Sequence, residues 1–366
     1  MKVVFIVSSI VNPNTIKRIN ALTDEGFEVI AYGYGRNMKL HNTPKKVKII
    51  NIGEINNSSR YLTRLKEIRK SIKQVVRYEE KEGPSIFYLV GLEVAMTFRS
   101  ITDHKYFYEE ADIVHANMKS QIMRFIFEKI DLYIVRHSVL SVFRSAGFLK
   151  YHFGENIPEN VMVMPNKLSN EIVDIPIIQP KPYTQEKISI GFVGGMRYNS
   201  IYNFAKVFTE NFPEHEFHFF GAFASQKAEE QFSKLKRGNC YFHGPFISPV
   251  DLPQIYSKID LVLATYDIEQ DNVKYAEPNK LYEAIYFDTP IIVTSGTYLS
   301  QRVRDLNIGY CIDPMNSESI KSFIKSLSKD SVHEKIKSIK TIDKKTVINN
   351  NSDYIKIKDE IYKAFN

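Results

Sequence analysis

Within residues 277–293, EPNKLYEAIYFDTPIIV, a helix is expected to stop and a strand to start across three residues, the short connection usual between a helix and a strand in α/β units. Asn279 is a favourable N-cap and Pro278 a tolerated first-turn residue, so a helix is expected to begin here and run through Lys280, Glu283 and Phe287. Asp288-Thr289-Pro290 breaks it, and the β-branched run at 291–294 follows as a strand. A helix N-terminus offers unpaired N–H groups and partial positive charge to an anion, and Lys280 adds a full charge at the same end. Glu283 shares the face of Lys280, one turn on. A carboxylate there can accept two hydrogen bonds from the vicinal hydroxyls of a ribose. Together these residues point to a sugar nucleotide. The plain alternative is an exposed ion pair on an ordinary amphipathic helix, worth a few tenths of a kcal/mol.

The 366 residues suffice for two domains, each with its own core. Hydrophobic content of 43% beside 25% charge is that of a soluble globular chain. Cys240 and Cys311 have no metal-ligand spacing, so neither a zinc site nor a disulfide framework is expected, and a reduced cytoplasmic compartment fits. No apolar run reaches the roughly eighteen residues of a membrane span. VVFIVSS near the N-terminus reads as a first strand, being too short for a signal peptide. The net charge of +7 is uneven: residues 1–170 hold 25 Lys/Arg against 17 Asp/Glu, or +8, and residues 171–366 hold 24 against 25, or −1. A basic half would be drawn to anionic headgroups, at about 1 kcal/mol per nearby Lys or Arg. No nucleic-acid-binding motif accompanies the charge, so a nucleic acid is not expected as a partner.

Along the first half, an apolar run at 2–8, polar Asn12-Pro13-Asn14, a helical pattern through Ile16, Ile19 and Leu22, and a strand at 27–34 make a parallel β-loop-α-β unit. No G-x-G-x-x-G follows the first strand, which argues against a dinucleotide there. After a neutral loop at 56–59, Leu62, Leu65, Ile68, Ile72, Val75 and Val76 recur at helical spacing between Arg64, Lys66, Arg69, Lys70, Lys73 and Arg77. This predicts a basic amphipathic helix over 62–77. Its stripe either packs on the sheet and leaves the charge to water, or it contacts an anionic membrane or lipid diphosphate. Strands are expected at 85–90 and within 105–116, the latter ending in Glu109, Glu110, Asp112 and His115; IDLYIV at 130–135 precedes Ser138 and a helical LSVFRS. Residues 167–187, with Pro176, Pro180 and Pro182, read as a linker.

The second half opens on an apolar strand at 188–193 that ends in Gly194-Gly195-Met196-Arg197 before a helix at 200–210. Glycines after a strand admit phosphates to the backbone, and an arginine two residues on can bind diphosphate oxygens bidentately. Further strands are expected at 215–221, 239–244 and 261–265, with the turn Gly244-Pro245-Phe246 between the last two.

P-N-K-x-x-E-A at 278–284, followed by T-P-I-I-V, resembles the donor segment of retaining glycosyltransferases of the GT-B fold, the broad family-4-like (group 1) set. The strand–Gly-Gly-x-Arg–helix at 188–210 and the pattern running from Gly244 to Val262 are similar to the same family, and the likeness is closest over 130–330. The resemblance implies an α/β chain with two Rossmann-like doubly wound domains facing a cleft. Residues 1–170 would bind the acceptor, with a C-terminal helix over 350–366 packing back onto them, and residues 187–349 would bind the donor. It implies that Glu283 holds the ribose, that Arg197 and Lys280 act on the leaving diphosphate, and that Gly194, Gly195, Phe246, Asn279 and Glu277 line the donor site. Glu109 and Asp112 are acceptor-side candidates. Relatives carry a second acid eight residues before the glutamate, where this chain has Tyr275, with Glu277 nearby as a substitute; they also carry a lysine where Tyr202 and Asn203 stand.

The implied activity is transfer of a hexose, with retention, from a UDP- or GDP-sugar to a saccharide or lipid-linked acceptor, as in cell-surface polysaccharide synthesis. Neither a metal nor another cofactor is required, and the protein would be cytoplasmic, with peripheral contact to an anionic membrane through 62–77. The rivals are a catalytically inactive donor-binding module of a polysaccharide assembly complex, suggested by Tyr275, and a sugar-nucleotide 2-epimerase.

Overall fold

The computed structural model describes residues 1–10, 13–35, 47–54, 61–178, 186–235 and 238–365. The chain divides into two compact units, residues 1–165 with 350–366, and residues 166–349. In the first unit β1 (Lys2–Val7), β2 (Glu28–Gly35), β3 (Lys48–Glu54), β4 (Ser85–Val90), β5 (Tyr106–Glu110), β6 (Leu140–Phe143) and β7 (Val161–Val163) form one sheet in the order β3-β2-β1-β4-β5-β6-β7. Every pairing is parallel. Helices cover both faces of such a sheet, so its central strands carry unbroken apolar runs, and all six residues of β1 are buried. The helix Ile355–Phe365 closes one side of this core, with Ile357 and Ile361 packed among Val3, Phe5, Tyr88 and Phe107.

The second unit repeats the scheme with β8 (Ser189–Val193), β9 (Glu216–Phe220), β10 (Cys240–Phe242), β11 (Leu261–Ala264), β12 (Ile291–Thr294) and β13 (Gly309–Ile312), all parallel, in the order β10-β9-β8-β11-β12-β13. Strand order reverses beside β1 in one sheet and beside β8 in the other, and in doubly wound sheets ligand crevices open outside the carboxyl ends of the strands at such switch points.

Several expectations need correction. Residues 121–137 form one helix, Gln121–His137, N-capped by Ser120, and LSVF, expected to be helical, is strand β6. Both faces of that helix carry large apolar residues, which hides its period: Phe127, Ile134 and Val135 are buried while Ile122, Phe125 and Ile126 are exposed. Much of the expected linker belongs to the second unit. Leu168 exchanges backbone hydrogen bonds with Val347 (3.0 Å) and Asn349 (2.8 Å), and Ile172 is wholly buried in a short turn. Pro180 and Pro182, like the loop at 56–59, lie outside the described residues.

The basic helix is present as Tyr61–Glu82. Ile68, Ile72, Val75 and Val76 are buried, and Lys66, Arg69, Lys70, Lys73 and Arg77 are exposed. The side chains of Leu62 and Arg64 lie outside the described residues. No helix among the described residues is long and apolar enough to cross a membrane.

Candidate functional site

Three glycines stack across the carboxyl ends of β8, β9 and β10. The Gly194 amide donates to the Phe220 carbonyl (2.7 Å) and the Gly221 amide to the Gly244 carbonyl (2.8 Å). Gly194 and Gly221 have φ near +138° and +139°, and a Cβ at Gly221 would lie 2.0 Å from the Gly194 oxygen, so no side chain fits there. A Cβ at Gly194 would come within 3.1 Å of the Lys280 ammonium, which is lodged directly against this loop. Gly195 is open: nothing lies within 4 Å of a Cβ built on it.

Lys280 enters from the helix Asn279–Tyr286. Its Nζ sits 4.5 Å from the Phe192 ring centroid and donates to the Tyr266 hydroxyl at 3.4 Å. Burial, and then the Arg197 guanidinium, depress its pKa to about 8 against the opposing pull of Glu283. Arg197 is exposed and lies over the Tyr198 ring at 4.8 Å. Tyr266, packed edge-on against Tyr198 at 5.2 Å, is pushed up by burial and by Glu283 and pulled down by Arg197. Lys280, Arg197, Tyr266 and Glu283 thus form one electrostatic group. Two cations held side by side, one of them partly desolvated, make a site for an anion.

The two helix N-termini at this end of the sheet differ. The amides of Asn199 and Ser200, which start the helix Asn199–Asn211 after the glycine loop, donate to the Asp267 carboxylate at 3.1 and 2.9 Å. Among the described residues no side chain caps the helix Asn279–Tyr286. An anion drawn to the glycine loop meets one N-terminus already neutralised and one open, with Lys280 beside it. The expectation for Asn279 is corrected in detail: the N-cap position is Pro278, in an extended conformation, and Asn279 is the first helical residue.

Glu283 is not the exposed partner of a surface ion pair. It is 7% exposed and its Oε2 accepts from the buried Tyr256 hydroxyl at 2.8 Å. Tyr256 stacks on Phe287 at 4.7 Å and fixes the carboxylate on its helix; within the Gly244 to Val262 pattern nothing local marks this role, since Glu283 lies 27 residues on. Glu277, also buried, belongs to a different group. Its Oε1 accepts from Tyr282 at 2.5 Å and faces Arg302 at 3.8 Å, and burial raises its pKa against both partners. Phe246 is half-buried and, like Tyr266, packs against the core that contains Tyr256. A separate cavity of about 540 Å³, lined by Val173, Tyr286, Phe287, His333 and Lys344, includes neither Lys280 nor Arg197.

On the first unit, the acceptor-side candidates do not come together. Glu109 is wholly buried, with Arg144 at 2.8 Å from Oε1, Arg18 at 3.4 Å from Oε2, and the Tyr88 hydroxyl at 2.8 Å from Oε2. Burial alone would raise its pKa, but the two guanidinium groups hold it below the usual value. With both oxygens taken, it is not available to a sugar hydroxyl. Asp112 is exposed. His115 is wholly buried.

Residues 178–346 match the family model described as glycosyl transferases group 1. Solved structures similar to the chain include sucrose-phosphate synthase from Thermosynechococcus elongatus, at 11% identity over 100% of this chain and 99% of that one, with a TM-score of 0.73. Anabaena Alr3699/HepE in complex with UDP and glucose is similar at 13% identity over 99% of each chain, with a TM-score of 0.70. A putative UDP-N-acetylglucosamine 2-epimerase from Listeria monocytogenes is similar at 13% identity over 92% of this chain and 91% of that one, with a TM-score of 0.59. No curated protein sequence matches the chain. The neighbours share the GT-B arrangement of two Rossmann-like domains.

Proposed function

With residues 178–346 taken as a group 1 glycosyltransferase domain on a GT-B chain, we propose that the protein transfers a hexose from a UDP- or GDP-sugar to a saccharide or lipid-linked acceptor, with retention. The observation that carries this reading is the Lys280 ammonium lodged against Gly194, beside Arg197, at an uncapped helix N-terminus whose next turn presents Glu283. The diphosphate binds the two cations and the helix amides, and Glu283, held by Tyr256, accepts from the ribose hydroxyls. Phe246 and Gly244 border the base. In the reaction the bond from the anomeric carbon to the diphosphate oxygen breaks, the acceptor oxygen bonds the same face of that carbon, and its proton passes to the departing phosphate. Negative charge grows on the diphosphate, where Lys280 and Arg197 are fixed in advance to stabilise it. The donor side needs no divalent ion for this.

The test is nucleotide release from UDP- and GDP-sugars, with and without saccharide acceptors. Acceptor-dependent release of UDP or GDP together with a glycosylated product is the expected outcome. Conversion of the sugar nucleotide to its 2-epimer without an acceptor would favour the epimerase, whose fold is also among the neighbours. Binding without turnover would leave an inactive donor-binding module.

A lipid-linked acceptor places the first unit at a membrane. The helix Tyr61–Glu82 can supply charge from Lys66, Arg69, Lys70 and Lys73, but its apolar stripe is spent on packing. The most exposed apolar residues of the helix Gln121–His137 are Ile122 (74% exposed), Phe125 (59%) and Tyr133 (46%), with Lys119, Lys129 and Arg136 exposed around them.

A further inference from the structure

At the carboxyl end of β5, four side chains from four elements close on one another away from solvent. Glu110 ends β5, His115 lies in the short turn Val114–Asn117, Asp131 is on the helix Gln121–His137, and His152 is on the helix Ala146–Phe153. Glu110, His115 and Asp131 are 0% exposed, and the His152 side chain is 2% exposed. His152 Nε2 lies 3.0 Å from the Glu110 carboxylate, and His115 Nδ1 lies 3.5 Å from Asp131 Oδ2. One ligand atom from each of Glu110, Asp131 and His152 falls within 4.8 Å of the others. Yet, among the described residues, both ring nitrogens of His115, Nδ1 of His152 and Oδ2 of Asp131 are buried with no hydrogen-bond partner. Buried polar atoms are normally satisfied, so four unpartnered atoms on three neighbouring side chains indicate a missing partner.

We propose that this cluster binds one divalent transition-metal ion of the zinc class, with the Glu110 and Asp131 carboxylates and the His115 and His152 imidazoles as its ligands. Two carboxylates and two imidazoles are an oxygen and nitrogen donor set suited to Zn²⁺, and their two negative charges balance the ion. The Tyr108 hydroxyl donates to Asp131 Oδ1 at 2.9 Å, which orients that carboxylate and leaves Oδ2 for the metal. The enclosed site leaves no open coordination position, so the ion is structural: it ties two helices and a turn to the end of β5. The spacing 110, 115, 131 and 152 matches no metal motif, which is why the sequence did not disclose it.

The test uses the whole chain dialysed against Zn²⁺ and then against buffer stripped of metal. Elemental analysis is expected to find one zinc per chain, and Zn²⁺ should raise the thermal midpoint by roughly 5 °C. Cobalt loading of the wild type should give the intense visible absorption of a four-coordinate ion. His152→Gln and Asp131→Asn should lose both signals. His218→Gln should keep them, because His218 pairs with His243 at 3.0 Å in the other unit. If the wild type retains no zinc, cobalt or manganese and its midpoint does not move, the proposal is overturned and the cluster is a proton-sharing network. Metal retained equally by His152→Gln and Asp131→Asn would place the ion elsewhere and overturn the proposal as well. Should a variant fail to fold, the wild-type stoichiometry and cobalt spectrum decide alone.

Discussion

The two sheets are wound alike, and their carboxyl ends dispose of charge in opposite ways. In the first unit Glu109 stands at the end of β5 and is neutralised from within by Arg18, Arg144 and Tyr88. In the second, among the described residues, no ion pair joins Lys280 or Arg197, and burial holds the lysine near 8. Shared topology explains where a crevice opens. Whether the charges at its rim cancel each other decides whether that crevice is structure or a binding site.

The sharpest way to break this contrast is Glu109→Ala. Stripping one partner from a buried, hydrogen-bonded ion cluster costs about 3–5 kcal/mol, so the urea midpoint should fall steeply while nucleotide affinity of the folded protein stays constant. A loss of affinity without a loss of stability would return Glu109 to the binding machinery.

Next in size, Lys280→Ala and Arg197→Ala should each lower turnover by about 100-fold, with stability preserved or slightly improved in Lys280→Ala because a desolvated charge is removed. Combined, they should cost less than the product if both act on the same phosphates. Initial rates with saturating donor read this directly; full activity in either variant would remove that residue from the mechanism.

Glu283 tests the intermediate case, a buried acid with work to do on a ligand. Glu283→Gln leaves Tyr256 an acceptor and should weaken nucleotide binding by about tenfold with little loss of stability, whereas Glu283→Ala should also destabilise by about 1–3 kcal/mol, having orphaned the Tyr256 hydroxyl. Calorimetric titration against UDP and GDP separates the two, and unchanged affinity in both variants places the ribose elsewhere.

Proton linkage gives a smaller, signed effect. A bound diphosphate favours charged Lys280 and raises its pKa, so affinity is complete below about 8 and falls by at most about tenfold per pH unit as pH rises through that value. Lys280→Met should abolish the slope. In the unliganded protein the same depressed lysine adds stability as pH rises from about 8 toward its unfolded value of 10.5. The smallest expected effect is at the membrane. Sedimentation with acidic vesicles should weaken with salt, and should be reduced by changing Lys66, Arg69, Lys70 and Lys73 to Ser and more by Ile122→Ser with Phe125→Ser. Indifference to acidic vesicles at low salt would point to a soluble acceptor.

Alternation of short apolar strands with amphipathic helices made both sheets readable, as did the glycine pair after β8 and the break at Asp288-Thr289-Pro290, where Asp288 takes φ of +53°. What escaped depends on distant partners. Glu109 looked like a cleft acid because the arginines that bury it are 91 and 35 residues away. The helix Gln121–His137 was mistaken because apolar residues on its open face erase the period on which helix recognition rests. Likewise Asp267 caps a helix that begins 68 residues earlier, which no local pattern announces.

The segment 350–365 has a further consequence for how the chain is made. Ile357 and Ile361 complete a core begun by Val3 and Phe5, Tyr354 accepts from Arg18 at 3.4 Å, and Lys356 reaches the Val161 carbonyl at 3.0 Å. As the chain leaves the ribosome, residues 1–165 wait for residues 350–365, which emerge only after the whole of 166–349, while that continuous stretch can close without them. The second unit can therefore close before the first, and a chain truncated after residue 349 would carry a complete second unit attached to an unsealed first.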